Sequence, residues 1–346
     1  MHKKIALACF IVFSLSSLQS QTVIGKYAGE FLSIGVGGRP LGMGGAFVAI
    51  ANDVTAGYYN PAGLAKLDYP QIALMHDERY GNLVNYNYAA VAIPYGKDYT
   101  FGLSVMRLGV DGIPDTRKAL VDRLTGNVVY DINLPSARLD PSLVTEFSNQ
   151  DWAFYLTGAK RVNDNFYLGA NVKILSRSIA EYTAFGIGFD VGAYYSPMEN
   201  LMLGANVQDV TTTFVAWSTG RNELITPTAK VGAAYQIDFF AGRLLPAVDL
   251  DIRFENRRYA SQFNIGPVSF DPHFGMEYSY KNLFAIRAGY NDVKQFTFGA
   301  GVKLPKLNID YSFARFNMSA DDRLPDTHRI SLMLTLEEPR FLRVSE

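Results

Sequence analysis

The sequence has little that could do chemistry. Its 346 residues include one cysteine, Cys9, which lies near the start. Lys3 and Lys4 precede a largely apolar stretch, Ile5 to Leu18, and Leu18-Gln19-Ser20-Gln21 offers a cleavage point near 20/21. Residues 1–20 therefore read as an export signal, too short for a membrane-spanning helix. A lipid-anchor cysteine would follow the apolar stretch, whereas Cys9 sits in its first half. The mature chain is then without a thiol, which excludes disulfides, thiolate catalysis and cysteine metal sites. Outside the signal, the histidines His76, His273 and His328 lie far apart, none at metal-ligand spacing. There is no G-x-S-x-G elbow and no distinctive Ser/His/Asp arrangement, so neither an enzyme, a cofactor nor a metal is expected. Without Lys3 and Lys4 the chain holds 30 basic and 33 acidic residues, a balance that gives nucleic acid nothing to bind. No stretch after the signal approaches the roughly eighteen apolar residues of a spanning helix.

What the chain does have is glycine and aromatic side chains, 30 Gly, 21 Tyr and 23 Phe, set in long alternating runs. Phe185, Ile187, Phe189, Val191, Ala193 and Tyr195 stand opposite Gly186, Gly188, Asp190 and Gly192. Ile330, Leu332, Leu334 and Leu336 stand opposite Arg329, Ser331, Met333 and Thr335. Period two is the strand signature. About fourteen such strands fall at roughly 71–77, 86–95, 99–108, 151–161, 165–178, 182–196, 200–211, 226–238, 245–256, 272–281, 283–291, 294–304, 307–316 and 327–336. Most run ~9–12 residues, the length a tilted strand needs to cross hydrocarbon. Tight turns such as Asn163-Asp164-Asn165 and Lys281-Asn282 alternate with longer links at 109–150, 212–225, 257–271 and 317–326. Near 178–182 and 291–294 the second kind of link is short as well. An even count of long strands with this alternation predicts an all-β fold, a transmembrane antiparallel β-barrel of about 14 strands with both termini inside the cell envelope.

A soluble two-sheet sandwich would also alternate, with its apolar face inward. Strand length, the absence of a domain break and glycines on the polar face disfavour it. Gly186, Gly188 and Gly192 facing water would weaken a strand for nothing; facing a filled lumen they make room. Lys173, Asp190, Lys230, Glu277, Arg287 and Lys303 share the polar faces, and their mixed signs predict pairing across the interior. His273, Asp249, Asp251 and Arg253 fall there too; two alternating acids followed by arginine read as lumen lining rather than an acid/base pair.

Between the signal and the first strand lies Gly37–Lys66. It has no complete G-x-G-x-x-G, since Pro40 and Phe47 stand where a third glycine belongs, and it has no phosphate-loop lysine. Asn60-Pro61 reads as a helix cap followed by proline at the first helical position. Two stretches here, GGRPLGMGGAFVA (37–49, with Gly38, Arg39, Gly42, Met43, Gly44 and Gly45) and NDVTAGYYNPAGLA (52–65, with Asp53, Asn60, Pro61, Ala62 and Gly63), closely resemble the N-terminal signature of the PorV/PorQ family. These outer-membrane proteins are related to FadL-type fatty-acid transporters. The resemblance implies an outer membrane of a diderm bacterium and an N-terminal segment folded inside the barrel as a hatch. The organisation expected is signal 1–20, hatch 21–69, barrel 70–336 and a periplasmic tail 337–346. The resemblance further implies a binding or shuttle role in type IX secretion, with the C-terminal signal domains of exported proteins and a translocon barrel as partners; on that reading function lies in the outer loops, chiefly the link 109–150, whose length of ~40 residues marks it as either functional or disordered. The alternative it implies is FadL-like transport of a hydrophobic ligand. Lumen faces of glycine, asparagine and mixed charge favour the first.

Overall fold

The computed structural model describes residues 29–81, 83–254, 261–316 and 326–343. The expected export signal, with Cys9, lies outside them, as do residues 255–260 and 317–325 of two expected links and residues 344–346. Fourteen strands close into one antiparallel barrel. They are β1 (Gln71–Arg79), β2 (Val84–Tyr95), β3 (Tyr99–Asp115), β4 (Thr145–Arg161), β5 (Phe166–Ile179) and β6 (Tyr182–Met198). Next come β7 (Leu201–Gln208, resumed at Thr213–Trp217), β8 (Asn222–Ile225, resumed at Thr228–Tyr235), β9 (Gly242–Arg253) and β10 (Val268–Tyr280). The last are β11 (Phe284–Tyr290), β12 (Gln295–Leu304), β13 (Leu307–Phe316) and β14 (Thr327–Thr335). β1 pairs with β2 on one side and with β14 on the other, from Gln71↔Thr335 to Glu78↔His328, so the ladder has no free edge.

Alternation decides which way each side chain faces. On β6, Phe185, Ile187, Phe189 and Val191 are exposed on the outside, while Ala184, Gly186, Gly188 and Asp190 are buried within. The same exchange of core and surface repeats round the barrel: Leu74, Leu103, Leu156, Phe274, Ile286, Phe298 and Leu332 are all exposed. A soluble protein would bury these groups; this one presents them to hydrocarbon.

Two expected links are shorter than their sequence suggests. β3 and β4 are 17 residues each and carry the barrel into the 109–150 link, leaving 116–144 as the connection. Gly112, with φ 69°, sits where the β3–β4 register shifts. Within the connection, Leu120–Asp122 pairs with Ala137–Leu139. The 212–225 link is mostly strand, closed by a tight turn in which Gly220 N–H donates to Trp217 O. Its bend falls lower, at 209–212, where Asp209 and Thr212 both take positive φ and β7 breaks away from the ladder. These stretches lack clean alternation because they bend, which is why periodicity passed over them. After β14 the chain folds back against the rim: the Arg343 guanidinium donates to Leu67 O at 2.7 Å, Tyr99 O at 3.1 Å and Thr100 Oγ1 at 2.5 Å.

Candidate functional site

Residues 29–69 pack against the inward-facing side chains of the strands. Their local structure is a set of short turns: Glu30–Ser33, Gly38–Gly42, Ala56–Tyr59 and Pro61–Lys66. None is long enough to be stable alone; each is fixed by the wall. Asn60 shows how. Its Oδ1 accepts from Ala62 N–H at 3.2 Å as the cap of Pro61–Lys66, and its Nδ2 donates to Val48 O at 3.0 Å and to Ala193 O on β6 at 2.9 Å. Asn171 Nδ2 donates to Gly57 O and Asn206 Nδ2 to Tyr59 O. The Asp249 carboxylate accepts from two successive amides, Phe47 N–H at 2.6 Å and Val48 N–H at 2.8 Å.

Glycines on the wall set the spacing. A Cβ at Gly169 would overlap the Pro61–Ala62 peptide, and one at Gly204 would overlap Val48 and Ala49. Gly275 and Gly289 lie under Met43 and Gly44, and Gly299 lies under Gly42. Of the three β6 glycines expected to clear a filled lumen, Gly192 does face Asn60 and Pro61. Gly186 and Gly188 instead give room to the barrel's own Lys173, Thr213 and Val215.

The motif residues are therefore brought together along one buried path. Gly38 N–H donates to Ser331 Oγ, and Gly42 O accepts from Thr297 Oγ1. Gly44 and Gly45 take φ 66° and 83°, a region open to glycine, and a Cβ on Gly44 would stand 2.6 Å from Tyr290 N. Asp53 Oδ1 accepts from Thr55 N–H and Oγ1–H at 2.9 and 2.5 Å. Gly63 lies against the Ala51 carbonyl. Arg39 donates through Nε and Nη2 to Glu277 at 2.9 and 3.1 Å, a fork on both carboxylate oxygens, and through Nη1 to Asn52 Oδ1 at 2.8 Å.

The mixed charges of the lumen do pair. Lys173 bridges Asp190 at 3.2 Å and Asp209 at 2.7 Å; Lys230 meets Asp251 at 2.6 Å; Glu277 meets Arg287 at 2.5 Å. Asp251 also holds Arg253 at 3.2 Å. Lys303 differs, being exposed at the inner rim. Sequence alone could not supply Asp209 as a partner, since it sits in the bend of β7 rather than on an alternating face.

Two cavities flank the buried segment. The inner one, about 400 Å³, opens among the short turns and is mostly polar, with Arg39, Lys66, Arg243 and Glu277. The outer one, about 630 Å³, lies toward the longer links. Phe31, Ile34, Leu41, Tyr58, Val84 and Leu108 give it an apolar side. Arg79, His273 and Gln295 give it a polar one. Arg79 Nε, Gln295 Nε2 and His273 Nε2 are buried with no hydrogen-bond partner among the described residues, although His273 Nε2 is 3.6 Å from Asp251. His273 Nδ1 lies 2.8 Å from Gly44 O and must donate, because a carbonyl only accepts. Four of the six apolar residues come from the N-terminal segment, not from the strands. Reading strand faces alone missed this lining; the signal for it was the apolar Phe31, Ile34 and Leu41 before the first strand.

A closed, strand-only wall with an apolar outside is an outer-membrane barrel, and the outer membrane is where this chain resides. Among solved structures it is similar to the toluene transporter TodX of Pseudomonas putida, with TM-score 0.61 and 14% identity over 88% of this chain and 99% of that one. It is also similar to the toluene transporter TbuX of Ralstonia pickettii, with TM-score 0.58 and 14% identity over 87% and 98% of the two chains. A Pseudomonas aeruginosa FadL homologue gives TM-score 0.54 at 14% identity over 87% and 98%. The shared feature is the FadL-like barrel fold. A family model described as an uncharacterised protein family (UPF0164) matches residues 7–100. No curated protein matches the chain.

Proposed function

We propose that the protein takes up a small amphipathic molecule across the outer membrane, with residues 29–69 acting as a hatch between the two cavities. The observation that carries this reading is the outer cavity of about 630 Å³, apolar on the side made by the hatch and edged by donors that have no partner among the described residues. Phe31, Ile34, Leu41 and Tyr58 suit a hydrocarbon body. Arg79 Nε and Gln295 Nε2 suit an acceptor-bearing head, because a buried donor without a partner is stabilised by any acceptor that reaches it. Similarity of fold to proteins described as toluene transporters and a FadL homologue agrees with this reading.

Calorimetry of the detergent-solubilised protein with a long-chain fatty acid and with toluene tests it. The fatty acid is expected to bind, and Arg79→Ala is expected to weaken it about tenfold, as for loss of one charged hydrogen bond. Toluene affinity should not respond to Arg79→Ala. Binding of neither ligand would overturn the reading.

A second reading, a shuttle role in type IX secretion, draws on the connection 116–144, which exposes Leu124, Tyr130 and Ile132 at its surface. On that reading the connection holds a signal domain or translocon barrel while the lumen stays shut. Capture of such a partner by the solubilised protein, lost on deleting 120–139, would favour it over uptake.

A further inference from the structure

The turn Gly38–Gly42 is one part of the segment that stands between the two cavities; Ile50, Asn52 and Asp53 back it on the inner side and Tyr58 and Tyr59 on the outer. Leu41, Gly44 and Gly45 line the outer cavity, and Arg39 lines the inner one. Gly37 precedes the turn with φ 80°, while Gly44 and Gly45 follow it with φ 66° and 83°. Glycine at both ends permits the backbone changes that a swing of the buried turn Gly38–Gly42 would need.

What the turn rests on is equally bare. Gly299 faces Gly42, and Gly289 and Gly275 face Met43 and Gly44, so β10, β11 and β12 present backbone here rather than interlocking side chains. Single hydrogen bonds join the turn and its flanking glycines to the wall at Gly37 N–H, Gly38 N–H, Gly42 O and Gly44 O. The paired, charge-assisted contact with the wall is the fork from Arg39 to Glu277; within the segment the guanidinium also lies 2.8 Å from Asn52 Oδ1, 3.7 Å from Asp53 and over the Phe47 ring at 5.1 Å. Glu277 is fixed from behind by Arg287 at 2.5 Å, which in turn holds Asp310 at 2.7 Å.

We infer that the Arg39–Glu277 ion pair is the bolt of the septum: while it holds, the two cavities are separate, and its release lets residues 38–45 move along the glycine-faced wall and join them. Glu277 keeps Arg287 when Arg39 leaves, so release does not strand a buried charge on the wall. The moving element is thereby limited to about eight residues, and Asn60, Pro61–Lys66 and the Asp249 cap stay in place. What would pass rests on the uptake reading; the bolt itself does not.

Planar-bilayer conductance in potassium chloride separates the two, because small ions report a joined lumen whether or not any amphiphile binds. Arg39→Ala and Glu277→Gln are each expected to raise single-channel conductance about tenfold over the native protein. Arg39→Lys, which keeps the charge, is expected to stay near the native level. Folding is checked by the mobility of unheated samples in detergent gels. Folded variants with native conductance would overturn the inference. So would Arg39→Lys conducting like Arg39→Ala, which would assign closure to the guanidinium's packing on Phe47. Failure of both Arg39→Ala and Glu277→Gln to fold would overturn it too, since a bolt on a moving turn is dispensable for assembly.

Discussion

Asn60 does three things with one side chain. It caps Pro61–Lys66, ties that turn to Val48 and ties both to Ala193 on the wall. Removing the amide leaves the buried Val48 carbonyl without this donor, costing about 1–3 kcal/mol, and cuts the tie to the Ala193 carbonyl, besides about 1 kcal/mol for the cap. Asn60→Ala is therefore expected to lower the temperature at which the barrel loses its compact mobility in detergent gels. Asn60→Asp, nearly the same size, should lower it at least as far, because an acceptor then faces two acceptors. Native melting of both variants would show that the anchor contributes nothing. The cap was legible from Asn60-Pro61 because capping is local. The bond to Ala193 was not, since it joins residues 133 apart. Gly169 and Gly204 show the same divide: their place on a polar strand face was plain, while the peptide each admits belongs to a distant segment.

Elements divide by how strictly they alternate. All fourteen strands were readable because hydrocarbon outside and a filled lumen inside force period two along each of them. The bend at 209–212 and the outer ends of β3 and β4 escape that constraint, and so their extent was not readable. The outer cavity's apolar side escaped for another reason, since its residues belong to short turns with no period to detect. The connection 116–144 is held by carboxylates acting as local caps. Backbone N–H groups led by Leu124, with Ser136, hold the Asp122 carboxyl below the usual carboxylate range, and Ser142 does the same for Asp140. Arg117 lowers Glu181 on the neighbouring turn. A depressed carboxylate stabilises the folded form above its unfolded pKa of about 4 and loses that contribution as pH falls through the folded value. Amide exchange in 116–144 is thus expected to be unchanged from pH 8 to pH 5, once corrected for intrinsic rates, and to rise below about pH 4 while the strands stay protected. Uniform protection of the connection down to pH 2.5 would show that these caps do not hold it.

At the scale of the whole molecule, the rims are unequal. The turns at 96–98, 162–165, 199–200, 281–283 and 305–306 share one rim with the start of β1 and the end of β14. The connection 116–144 and residues 261–267 lie at the other. Barrels of this kind insert with short turns toward the periplasm and long connections outward. That orientation places the larger, apolar-sided cavity toward the medium and the polar one toward the periplasm, the order an uptake path requires. A single added cysteine reads it directly if the mature chain has none of its own. Thr125→Cys, in the long connection, is expected to react with a membrane-impermeant maleimide on intact cells. Asp164→Cys, in a short turn, should react only after the outer membrane is opened. Both sites stand on exposed turns, so neither substitution disturbs packing. The reverse pattern would turn the barrel over and put the apolar cavity on the periplasmic side. Residues 29–69 would then stand before an exit rather than an entrance, and the uptake reading would fail on geometry alone.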